Sequence, residues 1–180
     1  MPHIMKHSSL FFAFVATILA FAMSSCNDMA VSTPELWYAQ LMIRNTPAGT
    51  CDTIPYSDTI QVGDSLRWNL LVDGRYNTLQ RFEATCDTSV FLLSVEIASV
   101  DSIPLAAGTD LEHGKIVFAS QKVYACPIWL HFSPRKAGTH KIQMVIASDA
   151  GQGYSPRSWE YTSTITDSIP AAVPDTTSQS

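Results

Sequence analysis

The stretch DSLRWNLLVDG, residues 64–74, alternates apolar with polar side chains and closes on an Asp-Gly turn signal. Side chains two apart on an extended chain point the same way, so Leu66, Trp68, Leu70 and Val72 make one burial face of a β-strand. On a helix the same four would scatter around the circumference. Working outward, the period returns in LWYAQLMIR (36–44), where Trp37, Ala39, Leu41 and Ile43 share a face, and in LQRFEATC (79–86), with Phe82, Ala84 and Cys86. It recurs in SVFLLSVEIASV (89–100), with Phe91, Leu93, Val95 and Ile97, and in KVYACPIWLHF (122–132), with Tyr124, Cys126, Ile128, Leu130 and Phe132. The last two runs are AGTHKIQMVIASDAG (137–151), with Ile142, Met144 and Ile146, and SWEYTSTI (158–165), with Trp159, Tyr161 and Ile165.

Turn clusters such as VDGRYN (72–77), SPRKAGT (133–139) and SDAGQG (148–153) separate these runs, and no sustained helical period follows residue 25. Short alternating strands with regular turns indicate an all-β chain folded as two packed sheets. The expected architecture is a single antiparallel β-sandwich of seven to eight strands over residues 36–166. TPAGTCDTIPYSD (46–58) and DSIPLAAGTDLEHG (101–114) read as loops. Pro127 removes a ladder donor, which places its strand at an edge or a bulge.

Two segments carry a resemblance. DTIQVGDSLRWNLLVDG (58–74) resembles the opening of bacterial immunoglobulin-like domains, where a Val-Gly-Asp turn feeds a core strand. AGTHKIQMVIASDAG resembles their penultimate strand and the turn after it. The resemblance implies an immunoglobulin-like form of the sandwich.

The N-terminus gives an address. Lys6 and the amino group precede LFFAFVATILAFAM (10–23), an apolar run too short to span a bilayer, which needs about 20 residues. Ser24-Ser25-Cys26 follows and resembles the lipobox of bacterial lipoproteins, with Met23 where an aliphatic is usual, as the looser boxes of Bacteroidetes allow. The resemblance implies that residues 1–25 are a signal peptide and that Cys26 is lipidated, anchoring the chain to membrane lipid at the cell envelope, on the outer membrane. An ordinary secretory cut that leaves Cys26 as a free thiol or disulfide partner, and a retained membrane anchor, are the other readings. Residues 26–35 read as the lipidated cysteine and its tether. Asp28 by itself does not choose between inner-membrane retention and surface export; the outer membrane is the expected address, with its face, periplasmic or cell-surface, left open. Residues 167–180, rich in Pro, Ser and Thr, read as a disordered tail.

Without residues 1–25, which carry Lys6 and no acid, the formal charge moves from −5 to −6. That argues against nucleic acid as a partner. Cys51, Cys86 and Cys126 then stand in an oxidising compartment. Cys86 and Cys126 lie on the inward parity of their strands, so a bridge between them is the preferred pairing; Cys51 is an alternative partner for either, and three reduced thiols are the remaining option.

Signals for catalysis are few. His113, His131 and His140 are isolated, no Ser or Cys lies in a nucleophile context, and no phosphate loop or CxxC pair is present, so no enzyme activity, metal or cofactor is expected. The weaker alternative is a metal-binding protein or enzyme centred on His113, which neighbours Asp110 and Glu112 in TDLEHG. Trp129, Tyr154 and Trp159 are candidate ligand aromatics, since sugar sites present ring faces to pyranoses. Seven of the eleven aspartates precede Ser or Thr, and five of those seven continue into Ile or Leu. Asp-(Ser/Thr)-aliphatic resembles the O-glycosylation sequon of exported Bacteroidetes proteins, which would place sugars on Thr53, Thr59, Ser102 or Ser168; the same pairs also nucleate turns.

These readings together expect a lipid-anchored envelope lipoprotein, non-catalytic, that binds or supports another envelope protein. A surface glycan-binding lipoprotein is the alternative. Intact-mass and peptide mapping of the protein from its native host should return a chain beginning at an acylated Cys26. A mature chain with no acyl increment would contradict the anchor, and unmodified peptides at all four Ser/Thr positions would remove the glycosylation reading.

Overall fold

The computed structural model describes residues 33–99, 103–119, 122–149 and 156–167. Among them, ten strands form two five-stranded sheets. The first sheet runs β2 (Cys51–Pro55), β1 (Glu35–Asn45), β4 (Ser65–Asp73), β8 (Ala125–Pro134), β6 (Phe91–Ile97). The second runs β3 (Ile60–Gln61), β10 (Arg157–Thr166), β9 (Gly138–Ser148), β5 (Leu79–Cys86), β7 (Lys115–Val117). The chain is therefore all-β. Its seven longest strands neighbour one another as β1-β4-β8-β6 and β5-β9-β10, the A-B-E-D and C-F-G order of an immunoglobulin-like sandwich. These seven are the runs that alternate in the sequence. Added to them are β2, a hairpin partner of β1, β3, parallel to the end of β10, and β7, beside β5. Residues 51–55 thus form a strand where a loop was expected, because pairing with β1 supplies the order that five residues of weak alternation do not announce.

The chain changes sheets at Gln61–Asp64, between β3 and β4. Asp64 N–H donates to the Gln61 carbonyl at 3.1 Å, and Gln61 N–H returns a bond to Asp64 Oδ2 at 2.8 Å. Gly63 sits at φ 90°, where only glycine is free of strain. Its N–H reaches the Pro134 carbonyl of the first sheet at 3.0 Å, while Val62 N–H reaches the Thr166 carbonyl of the second at 2.9 Å. One turn is thereby bonded to both layers.

Between the layers, the inward faces of β4, β8, β5 and β9 bury Leu66, Leu70, Leu130, Phe132, Phe82 and Ile142. Each such side chain stabilises the fold by about 1.5–3 kcal/mol. Trp68 packs at 5.0 Å centroid distance on Tyr161 of the opposite sheet and at 5.8 Å on Tyr56. Its register across from β1 shifts between Tyr38 and Met42, a bulge that frees the Ala39 carbonyl from the ladder. Trp68 Nε1 donates to that carbonyl at 2.7 Å, so the bulge leaves no orphan acceptor there.

Two expectations need correction. Of Trp37, Ala39, Leu41 and Ile43, expected to share the buried face, Trp37 and Leu41 point outward, while Ala39, within the bulge, is half-buried against the core. Leu36 opposes inward Val72 and Met42 opposes inward Trp68, so the other parity is buried, and Trp37 and Leu41 remain 52% and 54% exposed. Pro127 lies in β8, a central strand. It is tolerated because its nitrogen faces the point where β6 stops: Ala98 N–H still donates to the Pro127 carbonyl at 2.9 Å, and only the return bond is lost.

The sheet edges give little opening for a further strand. β3 and β7 are two and three residues long, β2 ends at Pro55, and the 3-10 turn Leu111–His113 packs on β6. Gly63→Ala should lower stability by about 1–3 kcal/mol through backbone strain, with a further loss because the new Cβ would meet Pro47 Cγ at 2.9 Å. Gly49, also left-handed but facing open space, supplies the control. Thermal unfolding of the two Ala variants checks this; an equal loss in both would contradict the role given to the crossing turn.

Candidate functional site

The two outer faces differ in chemistry. On the second sheet, Lys141, Gln143, Glu160 and Thr162 point outward, and Lys141 Nζ pairs with Glu160 Oε1 at 2.8 Å. That face is polar. On the first sheet, Trp37 of β1 opposes Leu71 of β4, which opposes Pro127 of β8, and Leu41 opposes Pro55 of β2. Trp37, Leu41 and Leu71 are all exposed, so β1 and its neighbours carry an apolar outer patch.

Beside the patch runs a charged row. Arg67 of β4 opposes His131 of β8, and Trp129 opposes Asn69 on one side and Glu96 of β6 on the other. The Arg67 guanidinium lies 4.2 Å from the Trp129 ring centroid and 3.3 Å from Glu96 Oε2, which also contacts His131 Nε2 at 3.1 Å. Exposed contacts of this kind are individually worth about 1 kcal/mol or less. Together they fix the rotamers of a polar rim.

Of the sequence candidates, Trp129 is on the outer face as its parity indicates, half-buried, with one ring face covered by Arg67. Trp159 is on the inner parity of β10, packs against the core, and has the Arg157 guanidinium 5.3 Å from its centroid. Tyr154 lies outside the described residues, as do Cys26, Ser102 and Ser168. Thr53 and Thr59 are exposed. The structure does not bring Trp129 and Trp159 together, since they belong to opposite sheets.

Sequence parity missed the aromatics that are most accessible. Trp37 was hidden by the second apolar parity of β1. Tyr124, expected inward with Cys126, lies one residue before β8 and is 50% exposed, because the alternation breaks there and Val123 takes the buried position. Tyr38 and Tyr56 meet at 5.2 Å; a hydrogen bond with Tyr56, then its charge, raises the Tyr38 phenol above its ordinary pKa.

His113 sits in the 3-10 turn capped by Asp110, whose Oδ2 is 2.8 Å from His113 Nδ1. This hydrogen bond, followed by the carboxylate's charge, raises the His113 pKa, and the same pair lowers that of Asp110. Among the described residues no group of three or more His, Cys, Asp or Glu side chains converges as a metal site.

The expected bridge between Cys86 and Cys126 is not formed; both, and Cys51, are free thiols. Both do sit on inward parity, but at opposite ends of the sandwich. Cys86 Sγ lies 4.0 Å from the Phe91 carbonyl, and Phe91 pairs with Pro134, eight residues along β8 from Cys126. Eight residues of strand span about 26 Å, whereas a bridge needs Cα atoms within about 7 Å. Cys51 starts the edge strand β2 beside Asn45 and Ser65, at the opposite end of the sheet from Val72 and its partner Cys126, and β1, β4 and β8 separate it from β6, beside which Cys86 lies, so it reaches neither. Burial pushes the Cys126 thiol up to about 12, and burial, then the Asp87 charge, raises Cys86.

No family model matches the chain, and no curated protein matches it. Among solved structures it is similar to domains 4 and 5 of the S-layer protein SbsC, at 9% identity and TM-score 0.34, over 73% of this chain and 53% of that one. It is also similar to the C-terminal domain of the Streptococcus pyogenes antigen I/II-family protein AspA, at 16% identity and TM-score 0.42, over 70% and 46%. A family 123 glycoside hydrolase from Clostridium perfringens matches at 10% identity and TM-score 0.45, over 77% and 28%. The chain spans about half the length of the first two. Likeness this distant bears on neither ligand nor partner.

Alkylation of the native protein should modify exposed Cys51 and spare Cys126 until unfolding. Modification of Cys126 in the folded state, or a mapped Cys86–Cys126 bridge, would contradict this arrangement.

Proposed function

We propose that the chain is a lipid-anchored cell-envelope protein whose sandwich is a non-catalytic docking module, meeting another envelope protein through the outer face of the first sheet. The observation that carries this reading is the asymmetry of the two outer faces. A solvated sheet face ordinarily alternates polar residues outward, as the second sheet does. Here Trp37, Leu41 and Leu71 are instead held outward by a register that buries Leu36 and Met42.

An apolar centre beside a charged and hydrogen-bonded rim is the anatomy of a protein interface. Trp37 is the anchor, because exposed tryptophan on a rigid strand loses little entropy on docking and hot spots are enriched in Trp, Tyr and Arg. Arg67, Glu96 and His131 form the rim that sets orientation. The blunted edges argue for docking by a face rather than by added strands. Anchoring at Cys26 supports the reading from the other side, since it confines the domain to the envelope, where a weak face-to-face contact gains from high local concentration.

Cross-linking in the native host with tagged protein tests it. Trp37→Ser with Leu41→Ser should leave thermal stability nearly unchanged, as both side chains are exposed, and abolish recovery of the partner. Trp37→Ala alone should weaken binding by about 2 kcal/mol, roughly thirtyfold in Kd. Full recovery of the same partner by the double variant would remove the first-sheet face from the proposal.

A further inference from the structure

At the end of the sandwich where the described chain begins, three contacts gather four segments. Arg157 Nη1 donates to Thr33 Oγ1 at 3.2 Å, joining the starts of β10 and β1. Arg75 Nη1 lies 3.5 Å from Glu35 Oε2, joining the β4–β5 turn to β1. Gly74 N–H donates to the Tyr124 carbonyl at 2.7 Å, joining that turn to the approach to β8. This end is where the tether enters. Six residues lie between Cys26 and Thr33, so the two are at most about 25 Å apart on a fully extended chain.

The β4–β5 turn is strained. Asn77 N–H closes on the Gly74 carbonyl at 3.0 Å, and the two central residues, Arg75 and Tyr76, have φ 51° and 75°. Such a turn is relaxed with Asn-Gly at its centre. A long side chain and a ring in left-handed backbone cost about 1–2 kcal/mol each. The strain places Tyr76 at the tip, 71% exposed, next to exposed Tyr124, across an open recess of about 540 Å³ that Asp73, Arg75 and Ala125 complete. Neither ring has an aromatic partner among the described residues.

We propose that this end is a membrane seat: with Cys26 lipidated, Tyr76 and Tyr124 rest in the headgroup boundary of the bilayer beside the anchor. The inference rests on the lipid-anchor reading above. Its occupant is set by the length of the tether and the point where it joins the fold, because six intervening residues hold this end of the sandwich nearest the lipid. Tyrosine suits that boundary, with an apolar ring to enter it and a hydroxyl to stay wet. Arg75, Lys122 and Arg157 here stand against Glu35, Asp73 and Asp149, with Asp28 in the tether, so no excess of positive charge selects an anionic surface; the fitting surface is a zwitterionic one and the contact depends little on salt. Strands rising from such a seat turn the first-sheet outer face sideways, toward a neighbouring envelope protein.

The test uses the full-length protein purified from its native host and reconstituted in zwitterionic phosphatidylethanolamine–phosphatidylcholine vesicles. Tyr76→Trp adds an emitter at the proposed seat, and Leu92→Trp adds one at the opposite end. Brominated lipid should cause a loss of the added Tyr76→Trp emission, at low and high salt alike, and leave that of Leu92→Trp intact. Equal quenching of the two, or of neither, with acyl chains confirmed on Cys26 by intact mass, would overturn the seat while the anchor stands. Absence of the acyl chains would remove the anchor reading and the seat with it. Protection of Tyr76→Trp from aqueous quencher by soluble envelope saccharide, without lipid quenching, would assign this end to a sugar and also overturn the proposal.

Discussion

The rest of the structure depends on the crossing at Gln61–Asp64. A two-sheet fold has to carry its chain between layers without leaving backbone groups unpaired. Here one turn bonds to the end of β8 in the first sheet and to the end of β10 in the second, with Gly63 in the conformation the corner requires. That corner sets where β4 starts. β4 then fixes β1 on one side and β8 on the other, residue by residue, and so decides which side chains of three strands face inward.

The surface follows from that registration. Because Met42 opposes Trp68 and Leu36 opposes Val72, Trp37 and Leu41 of the other β1 parity have no layer to pack against. The bulge after Tyr38 does not reverse this; it adds length between two inward positions and hands the Ala39 carbonyl to the Trp68 indole. An apolar outer patch on β1 is thus bound to the same contacts that build the core. A protein under no pressure to keep that patch could place Ser or Lys at Trp37 and Leu41 without disturbing the inner layer, since neither side chain is buried.

Much of the fold was legible because most strands have one polar face. In β4, β5, β6 and β9 the alternation names the buried residues correctly. It fails in β1, where both parities are apolar and counting selects the larger set; only pairing with β4 breaks the tie. It also fails for the cysteines, because parity gives the face of a residue and not its height along the strand, and Cys86 and Cys126 differ in height. β2 was missed because its order comes from β1. The aromatic surface was least legible. Tyr124 reads as core from its spacing, yet Val123 takes the buried position beside it, and the Arg75–Tyr76 turn lacks the Asn-Gly that normally announces its conformation. The places where local preference is violated, the outward Trp37 and the left-handed Tyr76, are those to which surface roles are assigned here.

Site-specific photo-crosslinking in living cells tests the central claim most directly, with the reactive group placed at Leu41 on the first-sheet outer face and, separately, at Thr162 on the second. The account predicts one discrete envelope-protein adduct from Leu41 and none from Thr162. The same adduct from both positions, or an adduct from Thr162 alone, would contradict it.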